Sequence, residues 1–126
     1  MTEKTPYRLD IGKVWCVIPV FNNAGTVLDV VSRCLRQMKN VLIIDDGSTD
    51  LNLKDACSKL PVTVIRHPEN RGKGAAILTA LEFLKAQDAD YMITIDGDGQ
   101  HFPEDIPLFF PLLERNNYSF VIGCRD

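Results

Sequence analysis

The amino-acid sequence predicts an α/β fold in which a mostly parallel sheet is flanked by helices. Five short, β-branched apolar runs alternate with segments of helical spacing, the order expected of strands joined by helical crossovers. The strands are apolar nearly throughout rather than at every second position, as in a sheet covered on both faces. A chain of 126 residues is long enough to bury one such core.

Residues 1–10 are polar and read as a peripheral arm, leaving residues 11–126 as the folded portion. Val14–Pro19 is the first strand, and Pro19, with no N–H to give to a ladder, should end pairing there. Val27, Val30, Val31, Cys34, Leu35 and Met38 then recur on one face of a helix. Val41–Ile44 is the second strand. Asp50–Leu60 is a shorter, weakly patterned helix, and Val62–Ile65 is the third strand. A second helical stripe follows at Ala76, Ile77, Ala80, Leu81 and Leu84, and Tyr91–Ile95 is the fourth strand. Ile106, Phe109, Phe110 and Leu113 give a third stripe, with Pro103 suited to its first turn. Phe120–Ile122 is the fifth strand. It runs into Gly123–Asp126, where the loop that should feed the binding edge meets the end of the chain, so a larger catalytic domain is expected.

Composition narrows the function. Apolar residues make up 45% and charged residues 25%, ordinary for a soluble globular protein. A net charge of −3 argues against a nucleic-acid partner. The longest apolar runs are strand-length, too short to span a bilayer, and the polar start has no secretory-leader pattern, so a cytoplasmic setting is expected. Cys16, Cys34, Cys57 and Cys124 form no Cys-x-x-Cys and no zinc-like spacing with His67 or His101, which predicts reduced, mostly buried thiols.

The chemistry concentrates where strands end. In parallel sheets joined by right-handed crossovers all strand C-termini lie on one edge, and ligands bind in the crevice there. Asp96-Gly-Asp98 follows the fourth strand. Gly97 permits a sharp turn that brings the two carboxylates together, and Gln100 adds a neutral oxygen. This is a donor set for Mg2+ or Mn2+ with positions left for phosphate oxygens. It is not an EF-hand loop, because Pro107 stands where the closing glutamate belongs. A solvated acidic turn is the plain alternative, and the position at a strand end tips the reading toward metal.

A second acidic pair, Asp45-Asp46, ends the second strand. A carboxylate there can accept from a base N–H or a ribose hydroxyl, while Ser48 or Thr49 can cap the next helix. After the first strand, Val20, Phe21 and Asn22 can face a ligand, although Asn22 or Asn23 reads more readily as a helix cap for the segment near Gly25. Asn70-Arg-Gly-Lys-Gly74 enters a helix with two glycines and two cations, which suits an anion or an ordinary helix start equally well.

Together Val17-Ile-Pro-Val-Phe-Asn22, Ile43-Ile-Asp-Asp-Gly-Ser-Thr-Asp50, Asn70-Arg-Gly-Lys-Gly74 and Ile95-Asp-Gly-Asp-Gly-Gln-His101 resemble the family 2 glycosyltransferases, in order and spacing across nearly the whole chain. The resemblance implies the Rossmann-like GT-A nucleotide-sugar-binding fold. Asp-Gly-Asp-Gly-Gln-His, with Gly123-Cys-Arg125 after the next strand, is most similar to the polyprenyl-phosphate (dolichyl-phosphate) mannose or glucose synthase branch, which usually has Ser where this chain has Cys124.

By that resemblance Pro19, Val20, Phe21 and Asn22 line the base and ribose pocket with Gly97 of the acidic turn. Asp46 binds the base, and Lys73 lies near the base or diphosphate. Asp96 contacts ribose or metal, Asp98 and Gln100 coordinate metal, and Arg125 lies near the acceptor phosphate. Asp98 and Arg125 are thus the candidate catalytic residues.

The expected reaction is metal-dependent, inverting transfer of a hexose from a nucleotide-diphosphate sugar, of GDP-mannose or UDP-glucose type, to a polyprenyl phosphate. A hydroxyl-directed polysaccharide glycosyltransferase and a non-catalytic nucleotide-sugar-binding module share these motifs. A receiver-type signalling domain does not, since its acidic pair should follow the first strand. Family members carry their catalytic base and membrane segments beyond this chain's last residue. The chain alone is therefore expected to bind nucleotide weakly without turnover, and to meet the membrane only through such segments or the lipid acceptor.

Overall fold

The computed structural model describes residues 10–99, 102–111 and 121–122. Of the expected arm only Asp10 is among them. Its carboxylate accepts from Gly12 N at 3.0 Å and caps a short 3-10 turn, Ile11–Lys13. The strands are β1 (Val14–Val20), β2 (Val41–Asp45), β3 (Thr63–Arg66), β4 (Tyr91–Thr94) and the two-residue β5 (Val121–Ile122). Between them lie helices α1 (Val27–Leu35), α2 (Leu53–Ala56) and α3 (Lys73–Ala86), then a 3-10 helix, Pro103–Phe109.

All pairings are parallel, in the order β3-β2-β1-β4-β5. The chain thus builds outward from β1 to one side, through β2 and β3, and then returns to add β4 on the other. That reversal puts a crevice at the C-terminal end of β1.

Alternation along β1 divides the core. Val14, Cys16, Ile18 and Val20 point to the face covered by α1, α2 and Ile106 of the 3-10 helix, where Val27, Val30, Val31, Cys34 and Leu53 pack. Val17 points the other way, with Leu42, Ile44 and Met92, against Ala76, Ala80 and Leu84 of α3. The predicted stripes on α1 and α3 are these buried faces.

Three local expectations need correction. β1 does not stop at Pro19 but runs to Val20, whose carbonyl accepts from Asp46 N at 2.8 Å. Alternation explains the proline's effect. Val17 O accepts from Ile95 N on the β4 side, so position 19, two residues on, also faces β4. Lacking an N–H there, Pro19 ends the β1–β4 ladder at Val17–Thr94 while the β1–β2 ladder continues to Val20–Asp45. The two strands part where the site opens.

The Asp50–Leu60 helix shrinks to Leu53–Ala56, capped by Asn52, whose Oδ1 accepts from Asp55 N at 3.1 Å; neither Ser48 nor Thr49 caps it. The third predicted helix begins as a 3-10 helix, since Pro107 inside it removes an N–H that an α-helical turn needs. Arg33 of α1 binds Glu104 through Nε and Nη2 and holds that carboxyl down at about 2 from its usual 4.5. Leu113 lies outside the described residues. Cys16, Cys34 and Cys57 are buried and unbridged, as expected, and Cys124 lies outside.

Candidate functional site

The parting of β1 and β4 opens one pocket at the C-terminal edge of the sheet. It is lined by Pro19 and Val20 at the end of β1 and Phe21 after it, Asp46 after β2, Asn70 and Gly72 before α3, Lys73 as the first residue of α3, and Asp96, Gly97 and Asp98 after β4; Asn23 and Ala76 complete it. Eight sequence-nominated residues therefore meet: Pro19, Val20, Phe21, Asp46, Lys73, Asp96, Gly97 and Asp98. Asn22 does not line the pocket. Gln100, His101 and Arg125 lie outside the described residues.

The acidic turn is held from two sides. Thr26, just before α1, donates its hydroxyl to Gly97 O at 2.6 Å. Lys73, in the first turn of α3, places its ammonium 2.6 Å from Asp96 Oδ1. Gly97 is favoured by proximity rather than by a left-handed backbone: an added Cβ would lie 3.0 Å from Val20 Cγ2, a tight contact, whereas the positive φ of the turn falls at Gly99.

Asp46 is 4% exposed, and its carboxylate is surrounded by donors. Oδ1 accepts from His67 Nδ1 at 2.7 Å and Arg71 N at 2.9 Å; Oδ2 accepts from Gly72 N at 2.8 Å and Asn70 Nδ2 at 3.1 Å. Burial alone pushes this carboxyl up, but the His67 ring and the Arg71 and Gly72 N–H groups outweigh it and hold the pKa below its ordinary value. Four donors occupy the roughly four acceptor directions of a carboxylate. In this geometry Asp46 anchors the Asn70–Gly72 turn. Gly47 beside it has φ +83°, and a Cβ there would come within 2.5 Å of Asn70 N, so the two loops are in direct backbone contact.

The neighbouring Asp45 has a separate task. It is 1% exposed, accepts from Ser48 N at 2.9 Å and pairs with Arg66 at 2.8 Å. Neither asparagine after β1 caps a helix with its side chain. Asn22, at φ +53°, accepts from Thr49 N through Oδ1 and donates its own N–H to Ser48 Oγ, tying the β1 loop to the β2 loop. Asn23 Oδ1 accepts from Phe21 N at 3.2 Å, and Thr26 stands at the helix boundary with no side-chain cap. The side chain expected to face the ligand and the one that does are adjacent, and the left-handed backbone at Asn22 makes the exchange.

Among the described residues no three His, Cys, Asp or Glu side chains gather as a metal cluster. Asp96 and Asp98 alone remain of the nominated ligand set. Two carboxylates on one pocket wall fit a hard cation that completes its shell with water and substrate oxygens.

Among the described residues no helix is long and apolar enough to cross a membrane. The profile of glycosyl transferase family 2 matches residues 15–126. An uncharacterised protein of Methanocaldococcus jannaschii is 36% identical over 115 residues, covering 86% of this chain and 50% of its own. A UDP-N-acetylglucosamine–dolichyl-phosphate N-acetylglucosaminyltransferase of Methanococcus voltae is 28% identical, covering 89% of this chain and 51% of its own. A dolichol-phosphate mannosyltransferase of Pyrococcus furiosus is 29% identical, covering 90% of this chain and 33% of its own. The chain therefore spans about half the length of the first two relatives and a third of the last. With a matching profile over almost its whole length, the chain belongs to glycosyl transferase family 2.

Proposed function

We propose that this chain carries the donor-binding part of a glycosyltransferase that moves a hexose from a nucleotide-diphosphate sugar, of GDP-mannose or UDP-glucose type, to a polyprenyl phosphate with inversion. One observation carries the reading: Asp46, Lys73, Asp96 and Asp98 come from three separate chain segments and line one pocket.

The pocket has an apolar end and a charged end. Pro19, Val20 and Phe21, the last 45% exposed, offer a surface on which a base can stack. Lys73 supplies positive charge beside the acidic turn, where a diphosphate would lie. Bound to Asp96 and Asp98, with Gln100 as a third donor, Mg2+ or Mn2+ would act as a Lewis acid on the departing nucleoside diphosphate. Arg125 would meet the acceptor phosphate. A phosphate oxygen is already largely ionised near neutral pH, so this acceptor needs no strong general base, whereas a sugar hydroxyl would need one.

The names of the relatives favour the lipid phosphate over a sugar hydroxyl, since two of them act on dolichyl or dolichol phosphate by name. Membrane contact would come through the lipid acceptor or through further segments of a longer chain, with the catalytic domain on the cytoplasmic face.

Calorimetry with UDP and GDP, with and without Mn2+, tests the reading. Metal-dependent binding that is lost in Asp98→Ala is the expected outcome. Binding indifferent to metal would favour a nucleotide-sugar-binding module, and no binding of either nucleotide would end the proposal.

A further inference from the structure

We propose that His67 is a positioning residue for the donor: by fixing the Asp46 carboxylate it sets the Asn70–Gly72 turn, and with it Lys73, at the charged end of the pocket. The inference rests on the donor-site reading above and adds to it a residue that does not line the pocket.

His67 follows β3 directly and is 4% exposed. Its backbone N–H donates to Asp45 O at 2.8 Å, which extends the β2–β3 ladder by one step and fixes the ring's origin. Nδ1 is 2.7 Å from Asp46 Oδ1, and Nε2 is 2.7 Å from Thr79 Oγ1 of α3. An ionised carboxylate only accepts, so Nδ1 carries the proton; the Thr79 hydroxyl can donate or accept and satisfies Nε2 in either state. Both ring nitrogens are thereby occupied and the ring is fixed at each end.

The consequence runs along the chain. Asp46 receives the N–H groups of Arg71 and Gly72, the two residues immediately before α3. His67 therefore grips α3 twice, at Thr79 directly and at its start through Asp46. Lys73 is the first residue of that helix, and its ammonium reaches Asp96 across the pocket. Gly47 packs so closely against Glu69 and Asn70 that no side chain would fit between the two loops. Without the ring, the buried carboxylate loses the shorter of its two side-chain donors, Asn70 being the other, and the turn that leads into Lys73 is held less firmly.

A merely packed core histidine would depend on ring volume. A positioning histidine depends on which nitrogen is kept. Asn places its amide near the Nδ1 position and Gln near Nε2, so the two separate the Asp46 contact from the Thr79 contact. Calorimetry with inorganic pyrophosphate, UDP and GDP in the presence of Mn2+ should give affinities about tenfold weaker in His67→Gln and His67→Phe, the scale of one charge-assisted hydrogen bond, at temperatures where each remains folded. His67→Asn should stay within about threefold of the parent.

Equal affinities across all three variants, or equal losses in Asn and Gln, would overturn the proposal. Hydrogen exchange at the Arg71 and Gly72 amides gives a readout that needs no ligand. Exchange should accelerate in His67→Phe and, more mildly, in Thr79→Val, which serves if the His67 variants do not fold; unchanged exchange would overturn the clamp. Failure of the parent chain to bind either nucleotide would count against the donor-site reading alone, and exchange would still decide the role of His67.

Discussion

The Lys73 ammonium lies 2.6 Å from Asp96 Oδ1, bridging the start of α3 and the turn after β4. The lysine side chain is 60% exposed and the aspartate 19%, so the pair sits at the rim of the pocket in water's reach. Exposed pairs contribute little to stability, about 0–1 kcal/mol. Lys73→Ala should therefore leave Tm nearly unchanged. It should weaken UDP and GDP binding about tenfold and flatten its salt dependence, measured by calorimetry at two ionic strengths.

Thr26 holds the acidic turn through a single short hydrogen bond to Gly97 O. Thr26→Val keeps the shape and removes the donor. A stability loss of about 1 kcal/mol is expected, with a larger proportional loss of Mn2+-dependent than of metal-free nucleotide binding. An equal loss of both would mean that the threonine does not orient the carboxylates.

Gly47→Ala should be among the most damaging single changes in the fold. The substitution forces a side chain into φ +83° and drives a Cβ to 2.5 Å from Asn70 N and Glu69 C. Left-handed strain and overpacking together suggest a loss of about 2–4 kcal/mol, a Tm drop of roughly 10 °C by calorimetric melting. Gly74→Ala meets nothing within 4 Å and should be close to neutral or stabilising.

Acid should unfold the chain partly through Asp46. Its pKa is lowered on folding, so the stability it contributes is present above the ordinary value of 3.8 and is lost as pH falls from there through the folded value. Denaturant melts of the parent and Asp46→Asn should therefore differ most near neutral pH and converge in strong acid. A gap that stays constant with pH would contradict this.

The buried thiols should be chemically silent. Cys16 lies 3.6 Å from Cys34 Sγ, and this contact together with burial pushes its pKa well above the ordinary value; burial also raises that of Cys57. Thiolate is the reactive form. Alkylation at neutral pH, mapped by peptide mass spectrometry, should spare Cys16, Cys34 and Cys57 in the native chain and modify all three in denaturant.

What the sequence revealed follows the range of each interaction. The strands were legible because β-branched runs such as Val41–Ile44 report burial locally. The acidic strand ends were legible because the residues themselves name the chemistry. Pro19 was read as a stop, yet it stops only one of the two ladders, since which neighbour an N–H faces depends on register. The choice of Asn23 over Asn22 turns on a left-handed φ that neighbouring residues do not announce. His67 was hidden for a different reason. Its partners lie 21 residues back and 12 residues ahead. A histidine followed by Pro68, just before a glycine-rich helix start, was the only local hint.

The sheet order gives the cleft two banks of independent origin. One bank, with Asp46 and Asn70, belongs to the β2–β3 half; the other, with Asp96 and Asp98, belongs to the β4 half; and β1 is the seam between them. The β1–β4 ladder stops at Thr94, and beyond it the Lys73–Asp96 ion pair ties the start of α3 to the opposite bank. A change at Lys73 or Asp96 is therefore felt on both shores at once.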